Sequence, residues 1–102
     1  MENTQSLQSI KQAFELKNQK YYKPAIEMLY KALELENDNI EILYQIGELY
    51  FLMNNYTRAL QYLEKVQSIN PTHIDSLKLT RTIKERQNEL DKVLDISEKL
   101  FN

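Results

Sequence analysis

Apolar residues recur along this chain at helical spacing, in blocks separated by short polar breaks. Leu7, Ile10 and Phe14, with Leu16, form a first face. Ala25, Ile26, Leu29, Ala32 and Leu33 form a second. Leu43, Ile46, Gly47, Tyr50 and Met53 form a third, and Ala59, Leu60, Leu63 and Val66 a fourth. The breaks are Asn18-Gln19-Lys20, Asn37-Asp38-Asn39, Asn54-Asn55 and Asn70-Pro71-Thr72. Asn tolerates left-handed and capping conformations, so it can stand in for glycine at helix ends. Pro24 fits only a first helical turn, which predicts a helix start near Tyr22. Thr72 and Asp75 have the spacing of a capping box, with Asp in place of Glu.

The blocks also repeat. At an offset of 34 residues, Ala13 falls on Gly47, Leu16 on Tyr50 and Tyr22 on Tyr56. Ala25 falls on Ala59, Leu29 on Leu63 and Ala32 on Val66. Small residues match small ones, and bulky residues match bulky ones. One further offset sets Leu43 over Leu77, Tyr56 over Leu90, Ala59 over Val93 and Leu60 over Leu94. Small side chains let two antiparallel helices cross closely, and bulky neighbours fill the space beside the crossing. A pair repeated at fixed period stacks into a solenoid.

Leu43-x-x-Ile46-Gly47-x-x-Tyr50, followed by Ala59, Leu63, Val66 and Pro71, resembles the tetratricopeptide repeat. The resemblance is strongest over 40–73, moderate over 6–39 and degenerate over 74–102. In the last stretch Arg81 takes the small position and Lys84 the aromatic one. It implies a single all-α domain over 1–102, a right-handed superhelix of antiparallel helix pairs with about six helices. On the register match of Leu90, Val93 and Leu94, Gln87-Asn88-Glu89 reads as the turn between the last two helices. The absence of Gly and Pro between Thr72 and Phe101 keeps one long helix as the alternative.

Composition removes most chemistry. The 102 residues include no Cys, one His and one Gly. Disulfides, thiolate or multi-histidine metal sites, cysteine nucleophiles and glycine-rich phosphate loops are excluded on those counts. No cofactor is expected. Glu27 with Lys31, and Asp95 with Lys99, sit at helix-surface spacing, which suits solvated pairs rather than an acid/base site. His73 reads as an exposed first-turn residue with no companion to orient it. The chain is therefore not expected to be an enzyme. The net charge of −2 and the interrupted Lys78-Arg81-Lys84 run argue against nucleic acid. Of seven tyrosines, Tyr22, Tyr50 and Tyr56 fall on packing positions. The polar start Met1-Glu2-Asn3-Thr4-Gln5-Ser6 and the absence of a long apolar run give no signal peptide or membrane span, so a cytoplasmic location is the default.

Binding is what remains. The resemblance implies a concave wall lined by the first helix of each pair, holding an extended peptide or a partner helix. By register its candidate residues are Ile10, Phe14 and Lys17, then Tyr44, Gln45, Glu48 and Phe51, then Lys78, Leu79 and Thr82, with Leu7, Asn18, Glu41, Leu52, Asp75 and Glu85 beside them. The family's carboxylate-clamp positions fall on Ile10, Phe14, Gln45, Asp75 and Leu79. These carry no cation, so a chaperone-tail binder is disfavoured. The expectation is a non-catalytic interaction module for a protein or peptide partner. The alternative is a structural module that homo-oligomerises, or continues a longer array, through exposed apolar surface that includes Leu100 and Phe101.

Overall fold

The computed structural model describes residues 4–101, with side chains left undescribed at 4, 96–98, 100 and 101. The polar residues Met1 to Asn3, and the side chains of Leu100 and Phe101, lie outside what is described. Five helices follow one another: α1 Thr4–Asn18, α2 Tyr22–Leu35, α3 Ile40–Leu52, α4 Tyr56–Ile69 and α5 Ile74–Phe101. α1 packs against α2 and α3 against α4, and α2–α3 and α4–α5 contacts join the pairs into an all-α stack.

The repeat is visible in how the helices end. Lys20 (φ 67°) and Asn54 (φ 62°), 34 residues apart, both adopt left-handed backbone. At the first, Tyr21 N donates to Leu16 O (2.8 Å) and Lys20 N to Lys17 O (2.9 Å). At the second, Asn55 N donates to Tyr50 O (2.9 Å) and Asn54 N to Phe51 O (2.9 Å). Both are Schellman closures, which satisfy the last carbonyls and turn the chain back. Pro24 lies in the first turn of α2, as its missing N–H requires. Asn39 and Asn55 cap α3 and α4 by accepting from Ile42 N and Arg58 N.

The crossings lie where small residues fall. Ala13, Ala25, Ala32, Gly47 and Ala59 are buried together with Leu29, Ile46, Leu63 and Val66. A Cβ on Gly47 would sit 3.2 Å from Leu63 Cδ2 and Cγ and 3.4 Å from the Ala59 carbonyl oxygen. Absence of a side chain at 47 thus sets the α3–α4 approach.

The third repeat departs from the expected six helices. α5 runs unbroken for 28 residues through Gln87-Asn88-Glu89, so the one-helix alternative holds and the turn does not form. Asn88 is one offset beyond Asn54, yet it lies in helix. A left-handed non-glycine residue is strained, and the first two repeats compensate by burying a second helix on the first. In the third, Arg81 occupies the crossing position and is exposed. A guanidinium there prevents close approach, so nothing favours breaking the helix.

The start of α5 is a second departure. The Thr72 hydroxyl bonds Asn70 Oδ1 at 3.0 Å instead of capping. His73 takes the cap: its Nδ1 accepts from Ser76 N at 3.1 Å, and its carbonyl accepts from Ser76 Oγ at 2.9 Å. An Nδ1 acceptor fixes the Nε2–H tautomer. The imidazole also lies against the Tyr44 ring, centroids 5.4 Å apart. His73 is thus half-buried structure rather than an exposed first-turn residue. His73→Ala is expected to lower stability by about 0.5–2 kcal/mol, while His73→Asn keeps most of it; urea unfolding midpoints compare the two.

Candidate functional site

α1 and α3 are the first helices of their pairs and α5 takes the same place in the third repeat, and residues of all three line one wall. Seven of the ten wall residues read from the sequence line one of two adjoining hollows on it. Ile10, Phe14 and Gln45 line a hollow of about 540 Å³ between α1 and α3. Lys17, Glu48, Phe51 and Leu79 line one of about 400 Å³ that continues to α5. Asn18 belongs to both hollows.

An ion pair spans the wall. Lys17 Nζ donates to Glu48 Oε1 at 2.6 Å, bridging α1 and α3. Both side chains are largely covered, which gives this pair more weight than an exposed one. The same ammonium lies 4.6 Å from the Phe14 ring centroid, within cation–π range. Phe14 is nonetheless 47% exposed. An apolar ring is therefore held in position and left facing solvent. Below it Gln45 is buried and donates to Glu41 Oε1 at 2.8 Å.

Three of the ten residues do not join the hollows. Tyr44 is half-buried between α3 and α5 against His73. Its hydroxyl is pushed up to about 12, first by burial and then by the carboxylates of Glu48, Asp75 and Glu41. Lys78 is exposed, and Thr82 returns its hydroxyl to the Lys78 carbonyl at 3.1 Å.

The wall expected from the register ends at Glu85 and leaves out Arg86, while Leu90 and Val93 are expected in a sixth helix. The Arg86 guanidinium stands 4.8 Å from the Phe51 ring, which also meets Tyr56 at 6.0 Å. Arg86 and Tyr56 open onto a third hollow of about 320 Å³ with Leu90 and Val93. The spacing of Arg86, Leu90 and Val93 carried this signal, but it shows only if α5 is continuous.

The opposite face holds a tyrosine cluster. The Tyr30 and Tyr50 hydroxyls are hydrogen-bonded, and Tyr62 stacks on Tyr50 with centroids 5.9 Å apart. Burial and these neighbouring hydroxyls raise the Tyr30 phenol above its usual range. This cluster is built into the packing and offers no open stacking platform. Asp95 and Lys99 form their expected surface pair at 3.3 Å. Among the described residues, no group of three or more His, Cys, Asp or Glu could hold a metal ion, and no helix is long and apolar enough to cross a membrane.

A sequence profile described as anaphase-promoting complex, cyclosome, subunit 3 matches residues 18–100. No curated protein matches the chain.

Proposed function

The chain belongs to the anaphase-promoting complex, cyclosome, subunit 3 family of tetratricopeptide-like helical repeats, and from that premise we propose that it holds an extended peptide or partner helix on the wall of α1, α3 and α5. Repeats of this kind mediate protein–protein interaction and generally do so without catalysis. The observation that supports the wall is Phe14. Hot spots are aromatic anchors set in place before the partner arrives and ringed by groups that exclude water. Lys17, bridged to Glu48, supplies that setting for the Phe14 ring. Phe51, between Arg86 and Tyr56, is the second anchor.

The partner segment on this reading presents apolar side chains to both hollows. A terminal carboxylate does not serve as its handle, because Ile10, Phe14, Gln45, Asp75 and Leu79 put no cation at the clamp positions. Residues 1–102 act as one unit, and a cytoplasmic location belongs to the same proposal.

Peptides selected from a random display library against the wild-type chain provide the test. Phe14→Ala and Phe51→Ala are each expected to weaken such peptides about tenfold or more. Lys65→Ala, at an exposed position on the opposite face, serves as the control for specificity. Selected peptides that bind the Phe14 and Phe51 variants as well as the parent would remove the wall from consideration.

A further inference from the structure

The turns divide the charge of this chain between two edges. Successive helices alternate in direction, so the α1–α2 and α3–α4 turns share one edge, and the α2–α3 and α4–α5 turns share the other. Residues 34–41, about the α2–α3 turn, carry Glu34, Glu36, Asp38 and Glu41 and no cation. Residues 16–26, about the α1–α2 turn, carry Lys17, Lys20 and Lys23 and no acid. Residues 49–63, about the α3–α4 turn, also lack an acid. In a chain of net charge −2, this basic edge runs against the overall sign.

Part of the edge is already neutralised. Lys17 is bound to Glu48, and Arg86 lies over Phe51 with Glu89 lining the same hollow. Lys20 and Lys23 are exposed, and among the described residues neither forms an ion pair. They line a fourth hollow, of about 470 Å³, with Tyr21, Tyr22, Pro24 and Met53. Lys20 and Tyr22 also line the hollow of Phe51 and Leu79, so the edge continues the wall. Tyr21 leaves 56% of its surface open there.

Packing does not explain Lys20. It holds left-handed backbone (φ 67°) where the next repeat has Asn54. Asn and Gly adopt that conformation at lower cost than Lys. The Lys20 side chain is exposed, so no buried contact offsets the difference. What Lys supplies there, and Asn does not, is a cation at the mouth of two hollows.

We propose that the partner segment held on the wall is acidic where it crosses this edge. Its carboxylate side chains meet Lys20 and Lys23, and an apolar side chain beside them packs on Tyr21 and Met53. The inference rests on the wall reading given under the proposed function. A protein segment suits the edge better than a nucleic acid does. The free cations are few and sit beside apolar surface, and a longer polyanion would run on to Glu89.

The display-selected peptides test this. They should carry Asp or Glu on one side of their apolar core. Lys20→Glu with Lys23→Glu should weaken them about tenfold. Added salt should weaken them against the parent and not against that variant, because it screens exposed charges. Lys20→Asn separates binding from folding. It should raise the melting temperature, since Asn suits left-handed backbone, and still weaken the peptides about threefold. A single-stranded oligonucleotide should fail to displace a bound peptide. Peptides that lose affinity for Phe14→Ala yet bind the Lys20, Lys23 variant as tightly as the parent overturn this proposal and leave the wall standing. Peptides indifferent to both Phe14→Ala and Phe51→Ala remove the two readings together. Displacement by the oligonucleotide overturns the choice of a protein partner for the edge.

Discussion

Leu63→Ala is expected to destabilise the fold by about 2–5 kcal/mol, the usual range for removing a buried leucine. Leu63 is fully buried and lies across the α3–α4 crossing from Gly47. For a chain near 100 residues, 1 kcal/mol is roughly 4–8 °C in melting temperature. A thermal scan should therefore move by about 8 °C or more. The same contact predicts how a second substitution couples to this one. Gly47→Ala alone sets a gain of about 1 kcal/mol in helix propensity against a Cβ held 3.2 Å from Leu63. With Leu63→Ala in place the obstructing carbons are gone, and Gly47→Ala should then be clearly stabilising. A double-mutant cycle reads this directly. Additive effects would mean that Leu63 does not set the crossing distance.

Ile83→Asp should have an effect of similar size but a different character. Ile83 is buried where α5 meets the core, and the other attachments of that helix include Ser76, half-buried Leu79, the Gln67–Thr80 hydrogen bond at 3.0 Å and the Arg86 guanidinium over Phe51. Ile83 belongs to the buried apolar cluster, and desolvating a carboxylate there costs several kcal/mol. The cheaper outcome is release of α5 into water. Hydrogen exchange by mass spectrometry should show α5 amides losing protection while α1 to α4 retain most of theirs. Uniform loss of protection along the chain would show that α5 is integral to one cooperative unit.

These two predictions also mark where the sequence was sufficient. The offset of 34 placed the small residues at both crossings, because a helix pair needs little more than period and volume to specify it. The left-handed residues of the first two breaks, Lys20 and Asn54, also stand 34 apart, although the asparagine signal pointed to Asn18 rather than Lys20 in the first. The offset then fails at Asn88. Whether an Asn ends a helix depends on what the following segment can bury, and that depends on Arg81, seven residues back. Asn stands at both 54 and 88, but Asn55, which caps α4, is replaced by Glu89 in the third repeat, and the outcome is opposite. The capping motif at Thr72 failed for a related reason. A side chain one residue later could cap Ser76 and also pack on Tyr44, and no short motif records the second contact.

For the wall, the register brings residues of α1 and α3 together around adjoining hollows, since a helix face is a periodic property. It did not show that Lys17 and Glu48, 31 positions apart, pair with each other. Nor did it show that Tyr44, on the same face, is taken up by packing against His73. Pairing and occlusion arise between elements, and one helix's sequence does not contain the other. Arg86 was left out of the wall, and Leu90 and Val93 were assigned to a sixth helix, because the expected turn at Gln87-Asn88-Glu89 separated them from it.

The central claim is that a partner segment lies across α1, α3 and α5. Chemical-shift mapping of the labelled chain with a library-selected peptide measures this most directly. The largest shifts are expected at Ile10, Phe14, Gln45, Glu48, Phe51 and Leu79, with α2 and the outer face of α4 unmoved. Shifts centred on Tyr30, Tyr62 and Lys65, with Phe14 and Phe51 silent, would contradict it and move the binding surface to the opposite side of the stack.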